Sequence, residues 1–198
     1  MKIRNSLSFI ALSGTLLTAL PVSAGEFVLR ASDDTVHVNV SDPMESKDIS
    51  FGLGYLYKNG EGEKNKANII NADLHAVGRT SLGNMPTVAG IGIQGNYAYQ
   101  DFSHYSSIHA AAVGVGGMVA VALPEVPGLS VDMQAHYAPD ILAWGDSDAF
   151  RRVLVELNYS VIKNADIITG YRYINTGLED AKSFTFESGL YVGFRALF

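Results

Sequence analysis

Residues 187–198 read ESGLYVGFRALF, and the alternation of their side chains decides the fold. Leu190, Val192, Phe194, Ala196 and Phe198 take the even positions, with Gly189, Tyr191, Gly193, Arg195 and Leu197 between them. A period of two gives a strand with two unlike faces. Whether the apolar face looks into a core or out into lipid depends on what the other strands do.

The same alternation recurs along the chain. Ile49, Phe51, Leu53, Tyr55 and Tyr57 oppose Ser50, Gly52, Gly54 and Lys58. Ile70, Ala72, Leu74 and Ala76 oppose Asn71, Asp73, His75 and Arg79. Ala89, Ile91, Ile93, Tyr97 and Tyr99 oppose Gly92, Gln94, Asn96 and Gln100. Further on, Leu129, Val131, Met133, Ala135 and Tyr137 face away from Ser130, Asp132, Gln134 and His136. Val153, Val155, Leu157 and Tyr159 oppose Arg152, Glu156, Asn158 and Ser160, and Ile167, Thr169, Tyr171 and Tyr173 oppose Gly170 and Arg172. The last strand carries the pattern upstream, with Phe184 and Phe186 on its apolar face and Glu187 opposite. The run AAAVGVGGMVAVAL at 110–123 is fourteen residues with three glycines, too short for a transmembrane helix, and reads as another strand. Eight strands are legible in this way. Upstream, Phe27–Ala31 and Val36–Val40 flank SDDT at 32–35 and predict a hairpin within residues 25–47. That hairpin either completes a ring of ten strands or folds beside a ring of eight, and ten is preferred.

The connections alternate in character. NGEGEKNK (59–66), DFSHYSS (101–107), PDILAWGDSDA (139–149) and NTGLEDAKS (175–183) are polar and mostly longer. TSLGNMP (80–86), PEVPG (124–128) and IKNA (162–165) are mostly shorter. Long loops on one side and short turns on the other describe an outer-membrane barrel. The pairs Tyr55/Tyr57, Tyr97/Tyr99 and Tyr171/Tyr173 all fall at the long-loop ends of their strands, as an interfacial aromatic girdle requires. The chain therefore reads as all-β: a small antiparallel transmembrane barrel of 8–10 strands, with short periplasmic turns and longer extracellular loops. In a soluble barrel the apolar face would fill the core instead. The gathering of aromatics at strand ends and the small, oppositely charged residues of the polar face weigh against that.

The first residues agree with this location. Lys2 and Arg4 precede an apolar stretch from Leu7 to Leu20, and Ser23 and Ala24 supply small residues for cleavage. Residues 1–24 are expected to be a cleaved secretory signal peptide, leaving 25–198 as the barrel. Losing the two cations moves the formal net charge from −6 to −8. No basic run appears, so nucleic acid is not an expected partner. The absence of cysteine excludes disulfides and thiolate metal sites.

With the apolar face outward, Asp73, His75, Arg79, Asp132, His136, Arg152, Glu156, Arg172, Glu187 and Arg195 point into the lumen as a polar network. Glu156, Arg172, Glu187 and Arg195 lie on the last three strands and are placed to form a buried ladder. Burial demands such pairing, because removing one partner of a buried ion pair costs roughly 3–5 kcal/mol. His75 and His136, with Asp73 and Asp132, offer nitrogen and oxygen ligands for a metal, but satisfied interior histidines are the preferred reading, with no metal or cofactor. Trp144, beside Ile141 and Leu142, is expected to pack at the barrel mouth.

The stretches AAAVGVGG (110–117), GYRYINTG (170–177) and GLYVGFRALF (189–198) resemble the YfaZ family of Gram-negative outer-membrane proteins. The resemblance implies outer-membrane location and a small barrel, and brings no activity or catalytic residues. The terminal Phe198, with Phe194, is similar to the signal by which bacterial outer-membrane proteins are recognised by the barrel-assembly machinery. Two functions are open. The preferred one is a non-enzymatic, porin-like barrel, a monomer among outer-membrane lipids and lipopolysaccharide, contributing to the envelope or forming a narrow pore. The alternative is an outer-membrane lipid hydrolase in which His104 activates Ser106 towards an ester.

Overall fold

The computed structural model describes residues 25–42, 48–60, 66–100, 107–178 and 183–198. The expected signal peptide and the pair His104 and Ser106 lie outside the described residues. The strands are β1 (Glu26–Ala31), β2 (Thr35–Ser41), β3 (Ile49–Lys58), β4 (Ala67–Leu82), β5 (Met85–Gln100), β6 (Ile108–Ala122), β7 (Leu129–Ala138), β8 (Ala143–Gly145), β9 (Ser147–Ile162), β10 (Ala165–Leu178) and β11 (Ser183–Leu197).

Ten of these strands form a closed antiparallel ring, in which the hairpin of uncertain placement supplies β1 and β2. The ring shuts between β1 and β11, where Gly25 and Phe198 exchange backbone hydrogen bonds of 2.7 and 3.0 Å. The eleventh strand, β8, prolongs β7. β6 pairs with β7 from Ala122 up to Val115 and resumes with β8 at Ala112. Pro139 has no N–H to give the ladder, and the chain leaves it there through a 3-10 turn at Asp140–Leu142. A two-residue turn follows Leu82, where Gly83 takes a φ of 65° that suits a hairpin turn.

The outward face is apolar, with Leu190 and Ile91 each 75% exposed in mid-strand positions. Water has no reason to stabilise such a belt, and lipid does. At the loop end of this wall three tyrosine hydroxyls find polar neighbours: Tyr55 with Asn68 at 2.6 Å, Tyr97 with His109 at 3.1 Å and Tyr171 with Ser188 at 2.8 Å. An aromatic body in lipid with a bonded hydroxyl above it is the arrangement an interface selects.

One face assignment changes. Phe184 and Phe186 are expected outside, yet Phe186 is fully buried and Phe184 packs against it, with ring centroids 5.0 Å apart. The register explains this, because Ile174 pairs with Glu187 but Asn175 pairs with Thr185. Phe186 is the extra residue of a bulge, so it and Glu187 both turn inward. Phe186 thereby joins Leu56, Ile69, Phe150 and Ile174 in an apolar layer that fills the loop-end half of the lumen. Charged and polar side chains occupy the rest.

Leu190→Arg is expected to lower stability by about 2–4 kcal/mol, the cost of an arginine facing lipid near the midplane. Reversible urea unfolding from vesicles measures this, and Leu190→Phe serves as the tolerated control.

Candidate functional site

The polar half of the lumen is organised by three arginine–carboxylate pairings. Arg30 of β1 reaches across to Glu156 of β9, with Nε–Oε1 at 2.7 Å and a second bond to Oε2 at 2.9 Å. Arg172 of β10 grips Glu187 of β11 in the same two-pronged way, at 2.6 and 2.8 Å. Thr35 of β2 donates to that Glu187 at 2.8 Å. Nearer the turn end, Arg195 bonds Asp132 at 3.0 Å and stands 3.5 Å from both Glu26 and Asp166. Planar guanidinium against carboxylate is the strongest of such pairings and fixes orientation as well as charge.

Between these pairs runs a ring of cross-strand neighbours: Ser50, His75, Gly92, Gly116, His136 and Arg152. The two glycines explain the two histidines. A Cβ on Gly92 would stand 2.7 Å from Cδ2 of His75, and one on Gly116 would stand 2.7 Å from Cδ2 of His136. With neither Cβ present, the imidazoles lie over the glycines and meet, Nε2 to Nε2, at 3.0 Å. Their centroids are 5.1 Å apart. That separation puts the rings nearly head-on, so one N–H shared between them accounts for the contact, whereas a metal would need both nitrogens aimed at a common third point. Asp73 lies 3.6 Å from Nδ1 of His75, while Asp132 belongs to Arg195. Among the described residues no group of three or more ligands is gathered for a metal.

A cavity of about 50 Å³ remains beside this ring, bordered by Glu26, Arg30, Asp73, His75, Arg152 and Glu156. That is space for a few waters, and the buried Nε of Arg152 faces no protein acceptor. Water fits here, and the hydroxyl of Ser50, across from His75, donates to the carbonyl of Asp42 at 3.3 Å.

The structure brings Asp73, His75, Asp132, His136, Arg152, Glu156, Arg172, Glu187 and Arg195 together in the lumen. Two details of the expected network differ. Arg79 has the right parity but stands at the exposed turn-end rim, 3.8 Å from Asp48, because β4 runs past the closed interior. Of the ladder, only Arg172–Glu187 joins neighbouring strands. Glu156 reaches Arg30 three strands round the ring, and Arg195 turns to Asp132, likewise three strands away, since a narrow barrel curves such strands within reach of one another. Arg30, Thr35, His37 and Glu26 are network members absent from the sequence reading. Their own alternation with Phe27, Leu29 and Val36 marks them inward once the hairpin is placed in the ring.

A family model described as "YfaZ precursor" matches residues 5–198. No curated protein sequence matches the chain. Among solved structures, the outer membrane channel DcaP of Acinetobacter baumannii aligns with a TM-score of 0.40 and 10% identity, over 90% of this chain and 60% of that one. Neisserial surface protein A aligns at 0.39 and 15% identity, over 88% and 94% respectively. OmpT, an outer membrane protein of Vibrio cholerae, aligns at 0.30 and 13% identity, over 87% and 64%. The chain thus spans less than two thirds of the length of DcaP and OmpT.

Glu156→Ala is expected to cost roughly 3–5 kcal/mol, because Arg30 stays buried without its partner. The double variant Arg30→Leu/Glu156→Leu should recover most of it, and urea unfolding of the three proteins measures the difference. Gly92→Ala is expected to cost about 1–3 kcal/mol through overpacking against His75 and the carbonyl of Leu74. The same unfolding assay reads it.

Proposed function

This chain belongs to the YfaZ family, and from that premise we propose that it is a sealed barrel of the outer membrane, serving the envelope through its wall and not as a conduit. The observation that carries the reading is the apolar layer of Leu56, Ile69, Phe150, Ile174 and Phe186 across the loop-end half of the lumen. An ion crossing that layer would shed most of its water, with only a few side chains such as Asn96, Gln100 and Thr176 to replace it, at a cost of several kcal/mol. Below it, Arg30–Glu156 reaches across part of the lumen and Arg172–Glu187 lies along the β10–β11 wall, so bulky paired side chains crowd the remaining width.

The outward apolar wall and the tyrosine girdle support residence among outer-membrane lipids, with lipopolysaccharide at the loop end. Export by a leader cleaved after Ala24 belongs to the same proposal. Phe194 faces outward on the closing strand and Phe198 is likewise exposed, a placement that supports their reading as the signal to the assembly machinery. The continuous lumenal network makes a monomer self-sufficient.

Purified protein in planar bilayers is expected to give no stable conductance steps, and Phe150→Ala/Phe186→Ala, which thins the apolar layer, is expected to admit ions. Discrete openings of the unmodified protein would replace the sealed barrel with the narrow pore.

A further inference from the structure

Outside the lumen, one polar cluster is unexplained by a sealed barrel. His109 of β6 faces outward at the loop-end rim, and both its ring nitrogens are engaged: Nδ1 with the Tyr97 hydroxyl at 3.1 Å, Nε2 with Oγ of Ser107 at 3.4 Å. The ring leans on Tyr99, centroids 4.8 Å apart. The backbone beneath it is pinned twice by Asp146, whose carboxylate accepts from the His109 N–H at 2.8 Å and whose N–H donates to the His109 carbonyl at 2.9 Å. If Nδ1–H donates to the tyrosine oxygen, Nε2 presents its lone pair to the serine hydroxyl. A hydroxyl, a base and a group that orients the base are the parts of an activated nucleophile.

Directly below lies a groove in the lipid-facing wall. Cross-strand register places Ile70, Tyr97, Ala111 and Trp144 in one row and Ala72, Gly95 and Val113 in the next. The small residues Ala72, Gly95 and Ala111 make a floor between the larger Ile70 and Trp144, and the hollow measures about 310 Å³, the lower end of the range for small-molecule sites. It opens sideways into the membrane, and His109 is the next outward residue above Ala111 on β6. An acyl chain suits such an apolar, membrane-facing trough. The linkage at the head of that chain, at the height of the interface, is an ester.

We propose that this outer wall is a lipid O-acyl ester hydrolase site, with Ser107 as nucleophile, His109 as general base and then acid, and Tyr97 as the positioning residue. Ser107 Oγ attacks the ester carbonyl carbon while its proton passes to Nε2 of His109. The carbon–oxygen bond to the lipid alcohol breaks, and His109 returns the proton to the leaving alkoxide. Water then attacks the acyl-serine, His109 takes its proton, and the fatty acid leaves as Ser107 regains its hydrogen. Both side chains reach solvent, so water for the second half is at hand. Ser107 and His109 stand in the reverse order to the expected pair His104 and Ser106, which lies outside the described residues, and the girdle positions them.

The test uses the folded full chain in two sets of vesicles, one of dioleoylphosphatidylcholine and one also containing lipopolysaccharide, with released fatty acid read by mass spectrometry. A fluorophosphonate probe reads nucleophilicity at Ser107 independently. Release from either set, with labelling, supports the site, and the set that releases acid identifies the source of the ester. Ser107→Ala and His109→Ala are expected to lose release by about a hundredfold or more and to lose labelling, while the heat-dependent gel shift of an intact barrel persists. Trp144→Ala is expected to raise KM for long-chain esters and leave kcat unchanged, and Tyr97→Phe to slow labelling. No release from either set, or release that Ser107→Ala leaves intact, overturns the proposal.

Discussion

The interior of this barrel is governed by charge that cannot reach bulk water. Arg30, Arg152 and Arg172 are buried, and Arg195 nearly so. Every strand on which one of them sits has its rotation about the barrel axis fixed by that fact, because a lipid-facing arginine and an unpaired lumenal one are both costly. The pairs then tie strands distant in sequence: Arg30 to Glu156 joins β1 to β9, and Arg195 to Asp132 joins β11 to β7. The backbone ladder holds neighbours together, and the arginines hold the ring's diameter.

Small residues make that pairing possible. Gly52 leaves room for Asp73, Gly54 for Asn71 and His37, Gly92 and Gly116 for the two imidazoles, and Gly170 for Tyr191. Tyr191 in turn lies under the guanidinium of Arg172 at 5.2 Å. A ten-stranded barrel is too wide for apolar side chains alone to fill evenly, and too narrow for every lumenal position to carry a large polar group. Alternating glycine with arginine, histidine or tyrosine around a ring solves both problems. At the loop end the solution is different: alanines at 67, 98, 110, 112 and 138 surround a few bulky apolar groups and dry the lumen.

Much of this was legible in the residues themselves. Period-two alternation gave faces to eight strands, and parity alone sent Glu156, Arg172, Glu187 and Arg195 inward. Parity failed where the ladder slips, as at Phe186, since a bulge adds a residue without leaving a mark in the hydropathy pattern. Pairing was less legible than facing. Sequence neighbours suggest Glu156 with Arg172, but the curved wall brings in Arg30 from three strands away, and no local signal encodes a distance across a ring. The hairpin of β1 and β2 was legible as the pair that completes ten, although its strands are short, six and seven residues. They need only reach as far as Glu156, Glu187 and the terminal seam. The groove beside Trp144 was invisible for the same reason, since it is a property of four strands in register.

The seam between β1 and β11 has a consequence for timing. Arg195 of the last strand stands beside Glu26 of the first, and Arg30 of the first strand completes Glu156 of the ninth. Until the two edges meet, Glu156 lacks Arg30 and Glu26 lacks Arg195, so these carboxylates must keep their hydration. The growing sheet therefore cannot dry its concave side strand by strand. It must travel into the bilayer as a wet, open trough, and expel water in one step when the edges lock. Closing the ring and drying its lumen are then one event, coupled through the same two ion pairs.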